Sequence, residues 1–328
     1  MIYLGIDVSK AKLDCSLLLD AASTKRKSKS VANNKVGIAN LLEWTTKQGV
    51  QPADLHTIME GTGVYHEQAA IALYDAGVTV SIVNPAQAKD FGKALAVRTK
   101  TDGIDSLVLA RYGALLKPTA WIPPTLEARA LQALLSRREA IAQDLRRELN
   151  RQEKADATDT PALIRQSLQD SIGFLQRQLA KLQQDINDHI DHHPNLKGDL
   201  KLLISIPAVG PQVGSNLLSV MHSHHFNSAE QLAAYLGLVP VERQSGTSVL
   251  GRARLSKAGP ARIRAVLYMA AVVATRHNPH VKAVYERLLA KGKAKMAAIG
   301  AAMRKLVHLC FGVLKTRTPY QTNYAKIS

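Results

Sequence analysis

The sequence predicts an α/β domain built on a mixed sheet, followed by a chain that is almost wholly helical. Three observations predict it. Over the first 116 residues, strand and helix patterns alternate in the order β-β-β-α-β-α-β-α. From 126 to 193 two long charged stretches carry helical periodicity, the second with a heptad seam. Beyond 196 the helical pattern continues, and basic residues accumulate there. A chain of 328 residues has room for two domains, or two and a connector. The expected divisions are 1–125, 126–195 and 196–328, with Trp121-Ile122-Pro123-Pro124 marking the first boundary.

Residues 2–8 alternate and are rich in β-formers, so they read as a strand. Residues 13–19 form a second, and the short polar link 9–12 suggests a hairpin. Residues 25–32 (KRKSKSVA) suit a polar edge strand. Ile38, Leu41, Leu42 and Trp44 space a helix over 36–48. Residues 55–60 (LHTIME) make a short buried strand. A helix over 67–76 ends at Gly77, and a strand over 78–83 stops at Asn84-Pro85. A helix over 102–116 has Pro118 beyond its end. Three antiparallel strands followed by strand–helix alternation is the order of the ribonuclease-H-like fold.

Past the boundary, 126–154 is a long amphipathic helix, and 156–161 interrupts it. The next helix has Leu168, Ile172, Leu175, Leu179, Leu182 and Ile186 at spacings of four and three. An intrachain helical hairpin and a dimeric coiled coil both suit that seam. His189, His192 and His193 end the helix, where cations at a C-terminus account for them more simply than a metal. Residues 202–209 lead into Gly210-Pro211-Gln212-Val213-Gly214. This turn resembles a helix-hairpin-helix that meets phosphates through backbone N–H groups, or else serves packing alone. His222, His224 and His225 show no carboxylate or thiol companion at metal spacing and read as loop histidines.

Composition narrows the function. Net charge is +17, yet it is not spread along the chain: seventeen of the 43 Lys and Arg, but only two of the 26 Asp and Glu, lie from Val241 onward. A local positive field of this kind points to a polyanion, above all nucleic acid. The longest apolar run, near 265–275, is too short to span a bilayer. Met1-Ile2-Tyr3-Leu4-Gly5-Ile6-Asp7 lacks a basic lead and carries an acid, unlike a signal peptide. Cys15 and Cys310 stand far apart in apolar surroundings, which argues against a disulfide framework and for a reducing, cytoplasmic setting.

Four carboxylates attract attention. Asp102 and Asp105 stand three apart at a helix start, hence on one face with Cβ atoms ~5–6 Å apart. Asp7 ends the first strand and Glu60 the fourth, and ligands of open α/β sheets gather at such strand ends. Together the four could hold two Mg²⁺ (or Mn²⁺) ions for phosphodiester chemistry. The plain alternative for Asp102 and Asp105 is an acidic helix N-terminus with Thr101 as its cap. Asp14, Asp54, Glu67 and Asp75 do not share the strand-end placement.

A second candidate lies far along the chain. Gln244-Ser245-Gly246-Thr247-Ser248 and the following residues form a Ser/Gly loop ringed by Arg243, Arg252, Arg254 and Lys257. Guanidinium groups there would neutralise a phosphoryl transition state, and the serine could attack phosphorus. The alternative is a loop that only grips phosphate. Arg262 on the next helix and Lys293 between the last two extend the basic surface.

Taken in order, Gly5-Ile6-Asp7, Glu60-Gly61-Thr62-Gly63-Val64-Tyr65, Asn84-Pro85, Lys100-Thr101-Asp102-x-x-Asp105, Ser205-Ile206-Pro207-x-x-Gly210, Ser245-Gly246-x-Ser248-x-x-Gly251 and Ser256-Lys257-x-Gly259 resemble the DEDD insertion-sequence transposases. That family includes pilin-gene invertases and bridge-RNA-guided recombinases. The likeness runs from the first residues to about 315, although 150–161 carries none of these motifs. It implies a RuvC-like domain, a coiled-coil insertion and a helical C-terminal transposase domain. It puts Mg²⁺ binding on Asp7, Glu60, Asp102 and Asp105, and the nucleophile on Ser245 rather than Ser248 or Ser256. It also implies donor and target DNA as substrates, dimers that pair into tetramers with one subunit's acids facing another's serine, and in some members a structured noncoding guide RNA.

Three other readings compete. A metal-only RuvC-like junction resolvase or nuclease would keep the acids and use Ser245 to grip phosphate. A sugar-kinase or actin-like ATPase would share Gly5-Ile6-Asp7-Val8-Ser9 but needs a later Asp-Gly-Gly-type loop that the sequence lacks. A nucleic-acid scaffold would need none of the acids.

Overall fold

The computed structural model describes residues 1–20, 26–61, 63–95, 101–242, 244–245, 249–250 and 254–323. The chain divides into two units, Met1–Pro123 and Pro124–Ser328.

In the first unit the strands are β1 (Ile2–Val8), β2 (Lys12–Leu18), β3 (Lys27–Ala32), β4 (Leu55–Glu60) and β5 (Thr79–Val83). They lie in the order β3-β2-β1-β4-β5. β1 is antiparallel to β2 and parallel to β4, β2 is antiparallel to β3, and β4 is parallel to β5. The helices are α1 (Lys35–Lys47), α2 (Tyr65–Asp75), α3 (Pro85–Ala94) and α4 (Asp102–Leu116). All five expected strands form, within two residues of their expected bounds.

Strand alternation sorts the side chains onto two faces. Leu4, Ile6, Leu13, Cys15, Leu17 and Met59 share one core with Ile38 and Leu41 of α1 and Ala69, Ala70 and Leu73 of α2. Tyr3, Ile58 and Val83 share another with Ala88 of α3 and Leu109, Tyr112 and Ala114 of α4. Gly5 belongs to the second face. A Cβ there would collide with the backbone of Ser106 and Ala110, so α4 rests directly on β1. The contact is fastened by the buried hydroxyls of Ser16 and Ser106, 2.9 Å apart.

Helix α3 is a departure from expectation. Asn84-Pro85 reads as a stop, but Pro at a first helical position lacks only an N–H that would be unpaired anyway. Asn84 Oδ1 accepts the Ala86 N–H at 2.8 Å and caps the new helix.

The two edges of the sheet differ. β3 presents exposed Lys27, while Lys29 is half-buried with its Nζ 6.0 Å from the centre of the Trp44 ring. Along β5, Trp121 N–H donates to the Val80 carbonyl at 2.6 Å, and Ser81 Oγ donates to the carbonyls of Thr119 and Pro118 at 2.8 and 3.2 Å.

The second unit begins with α5 (Leu126–Asp156) and α6 (Ala162–His192), which pack on each other. Ile172 and Ile186 of the seam are buried, and its four leucines are half-buried. After these come α7 (Pro194–Ile204), α8 (Pro211–Ser223), α9 (Ala229–Tyr235), α10 (Ala261–His277), α11 (Pro279–Ala290) and α12 (Lys295–Thr316). Short strands β6 (Pro240–Val241) and β9 (Arg254–Leu255) pair, as do β7 (Gln244–Ser245) and β8 (Val249–Leu250). Leu131, Leu135, Ile186 and Ile190 from the long helices join one core with Leu217, Leu267 and Leu306. α12 is long and apolar enough to cross a membrane, although Arg304 and Lys305 break its apolar run. Ala298, Ala302, Met303, Leu306, Val307 and Cys310 on this helix are buried within the core of its unit.

Candidate functional site

Register brings the acids together. Asp7 stands opposite Asp14 across the β1–β2 pair, so both side chains leave the same face. That is the Gly5 face, on which α4 lies. Glu60 shares a strand face with Ile58, which packs in the same core as Leu109 of α4. Asp102 and Asp105 open α4, and the Thr101 carbonyl accepts the N–H groups of Ile104 and Asp105 at 2.8 and 2.9 Å. Thr101 occupies the cap position, but its side chain makes no capping bond. The two acids therefore enjoy the positive end of the helix without help from a hydroxyl.

The electrostatics of Asp7 report this convergence. Its carboxyl is pushed up to about 6, first by burial, then by the negative charges of Asp105, Asp102, Asp14 and Glu60. Among the described residues no three His, Cys, Asp or Glu side chains stand close enough to grip one ion together. The donor set nonetheless fits Mg²⁺. All its donors are hard oxygens, and Mg²⁺ keeps several waters while taking one or two carboxylates plus substrate phosphate.

Residues that the sequence reading passed over shape the site. Lys12 Nζ donates to Asp102 Oδ2 at 2.8 Å and to Asp14 Oδ2 at 2.9 Å. Asn33 Nδ2 donates to the carbonyls of Ser9, just past Asp7, and Tyr65, at the start of α2, at 2.9 and 3.0 Å. It thereby ties the exit of β1 to the segment that follows Glu60. Lys12 carried a readable signal, since it lies two residues from Asp14 and so on the same strand face. Asn33 carried none, because its partners are remote in sequence.

In the second unit Ser245 lies in β7, with Val249 opposite it in β8. Arg243, Arg252 and residues 246–248 lie outside the described residues. Arg254 is exposed in β9, opposite Val241. Lys257 is exposed, with φ +55°. Lys293 is exposed after α11, its N–H donating to the Leu288 carbonyl at 3.0 Å. Arg262 is half-buried and donates to the Leu135 carbonyl and to Asn216 Oδ1, both at 3.3 Å. Arg264, unremarked in the sequence, donates to the carbonyls of Leu236, Ala258 and Gly259 and so holds the turn before α10.

The histidines divide. His189 Nε2 lies 2.9 Å from the Glu127 carbonyl, and His192 and His193 each bond a carbonyl one turn back, in keeping with a structural role. His222 is a correction: it sits in α8 and does have a carboxylate companion, with Nε2 2.9 Å from Oδ2 of buried Asp199. Asp199 also pairs with Arg317. Burial alone would raise Asp199, but the His222 hydrogen bond and the Arg317 charge outweigh it and hold the carboxyl below its usual range. Sequence spacing could not show this, because the three residues come from separate segments.

Two family models match the chain. A DEDD transposase model of the IS110 type covers residues 4–155, and a model described as "Transposase IS116/IS110/IS902 family" covers 200–286. The chain is 32% identical over 320 residues to the pilin gene-inverting protein of Moraxella bovis, covering 97% of each. Its identity to the pilin gene-inverting protein of Moraxella lacunata is also 32%, again over 97% of each. It is 28% identical over 166 residues to an uncharacterized 43.6 kDa protein of insertion element IS110 in Streptomyces coelicolor, covering 50% of this chain and 40% of that one. With a five-stranded mixed sheet that collects carboxylates on one face, and relatives that match along nearly its whole length, the chain belongs to the IS110 family of DEDD transposases and is a DNA recombinase.

Proposed function

We propose that the chain cuts and rejoins DNA with a divalent-metal site formed by Asp7, Glu60, Asp102 and Asp105 and with Ser245 as nucleophile. The observation that carries the metal half is Asp7: its carboxyl is raised by burial and by four neighbouring acids, a charge arrangement that a divalent cation relieves. Bound Mg²⁺ supplies Lewis acidity toward phosphate oxygens. Asp105 and Asp102, fixed by α4, and Asp7 and Glu60, fixed by adjacent strands, hold their oxygens toward one region of the first unit.

Ser245 Oγ forms a bond to phosphorus as the bond from phosphorus to the strand's sugar oxygen breaks. The serine proton passes to that departing oxygen. The ester keeps the energy of the broken linkage, so a second strand's hydroxyl can reverse the step and rejoin DNA without added energy. Arg243, Arg252, Arg254 and Lys257 neutralise the phosphoryl oxygens, and Arg262 and Lys293 extend the contact to the backbone. The named relatives invert a pilin gene, and inversion requires paired cuts and exchange. Dimers pairing into tetramers, with one subunit's acids serving another's serine, fit that need. The seam of α6 supports a coiled-coil role for the 126–195 segment in such assembly, between a catalytic domain over 1–125 and a basic domain over 196–328. A structured noncoding RNA that pairs with donor and target DNA would supply sequence choice, leaving the protein to recognise backbone and shape. These activities belong in the bacterial cytoplasm, at the nucleoid.

The test is a trapped reaction of the full chain with donor and target DNA, with and without RNA transcribed from the DNA flanking the gene. A DNA-linked peptide containing Ser245 is the expected product, and Ser245→Ala should bind DNA but exchange no strands. A Ser245→Ala protein that still cleaves would instead establish a metal-only nuclease.

A further inference from the structure

Lys12 is held where it can compete for the acids. The turn before β2 is pinned by Ser9: its N–H and Oγ donate to the Lys12 carbonyl at 3.0 and 2.9 Å, and Lys12 N–H donates back to Ser9 Oγ at 3.1 Å. This fixes the base of the side chain at the first residue of β2. From there Nζ reaches both Asp14 and Asp102, the latter ninety positions away on α4. The ammonium and the Asp102 carboxylate are each about half exposed, at 48% and 58%. Neither is locked by burial.

We propose that Lys12 is a positioning residue that competes with the divalent cation for Asp102, and that Asp14 keeps the ammonium when the cation wins. This rests on the reading of the four acids as a metal site. The ammonium is bound to Asp102 Oδ2, an oxygen that an ion would also seek. It satisfies the charge of Asp102 but supplies no Lewis acidity, so the two occupants are not equivalent. Asp14 makes the exchange easy. It stands opposite Asp7 in the strand register, yet it is not among the four acids assigned to the ion. Lys12 therefore gives up one contact rather than two when Asp102 is taken. Divalent affinity is then set partly by this lysine, and Asp102 stays paired until an ion of sufficient concentration, or one brought with DNA phosphate, displaces it.

The test is Mn²⁺ titration of the full-length chain without DNA, followed by the electron paramagnetic resonance of free Mn²⁺. Lys12→Met should tighten binding about fivefold, the equilibrium weight of one partly exposed ion pair. Lys10→Met removes the same charge from the same turn and should change affinity by less than about twofold, since a solvent-exposed charge acts weakly at a distance. In wild-type protein carrying ¹³C-dimethylated lysines, the Lys12 resonance should move on addition of Mg²⁺, and in Asp102→Asn it should not. Equal affinities for wild type and Lys12→Met, or equal effects of the two lysine variants, would overturn the role of Lys12 while leaving the metal site standing. Mn²⁺ binding that is unchanged in Asp102→Asn and Asp7→Asn would remove the metal reading itself, and the proposal with it.

Discussion

Gly5 lies directly beneath Ser106, so that any side-chain carbon at Gly5 would collide with the Ser106 carbonyl oxygen. Backbone of α4 is the obstacle, and backbone cannot rotate aside as a side-chain tip can. Gly5→Ala should therefore lift the first turns of α4, which carry Asp102 and Asp105, and cost about 1–3 kcal/mol, as overpacking does. At Gly113 the obstacles are side-chain atoms of Ile58 and Tyr3, so Gly113→Ala should cost less. Urea denaturation of the two variants would rank them, and the reverse order would argue against direct seating of α4 on β1.

The raised Asp7 carboxyl predicts a pH dependence with a definite sign. Its ordinary value is 3.8 and its folded value about 6. Between these the folded protein binds the extra proton, so without metal the contribution of Asp7 to stability is present below about pH 4 and falls as pH rises through 6. Asp7→Asn should flatten that part of the melting profile. Mg²⁺ should offset the loss at pH 7 in wild type, and do so less in the variant. Thermal melts across pH 4–7, with EDTA or Mg²⁺, measure both.

Asp199 should behave in the opposite sense. Its carboxyl is held low by His222 and Arg317, so its contribution is present above the unfolded value and is lost as pH falls through the folded one. Asp199→Asn should destabilise the second unit by about 1.5–3 kcal/mol at neutral pH, the range for hydrogen bonds to charged groups. The difference from wild type should shrink toward pH 3. Chemical denaturation at the two pH values provides the comparison.

Ala208 has φ +78°, where a Cβ is unfavourable. It sits in the turn between α7 and α8, and Val209 N–H donates to the Ile206 carbonyl at 2.9 Å across it. Ala208→Gly should stabilise the chain by about 0.5–1 kcal/mol once the added freedom of the unfolded chain is subtracted. A lowered melting temperature would mean that the methyl group has a packing role exceeding its strain.

DNA affinity should fall steeply with salt. Seventeen basic residues from Val241 onward make multiple phosphate contacts available. A slope of log K against log salt near −5 would correspond to about six phosphates. Neutralising Lys257 and Arg254 together should reduce its magnitude by roughly two. A slope near zero would contradict the polyanion reading of this segment.

Much of this architecture was readable because it rests on short-range rules. Alternation gave β1, β-rich composition and turn signals gave the other strands of the first unit, and the ribonuclease-H-like order put the Asp102 helix beside the strand ends of Asp7 and Glu60. What was not readable depends on contacts between distant segments. The spacing of Lys12 and Asp14 was readable, but the pairing of Lys12 with Asp102 was not, because α4 lies ninety positions along the chain. His222 looked unpartnered because Asp199 reaches it from another helix. Helix α3 was missed for a local reason: Asn84-Pro85 serves equally as the end of a strand and the start of a helix.

The two rims of the sheet have a consequence for how copies of this chain can meet. On β3 an incoming strand would have to desolvate Lys27 and Lys29, and on β5 the Val80 carbonyl already has the Trp121 N–H. Neither rim offers a clean backbone ladder to a newcomer. A recombinase concentrated on DNA is crowded with its own kind, and open strands would invite fibres. With both rims obstructed, association is steered toward side-chain surfaces, where shape and charge can limit the number of subunits that join.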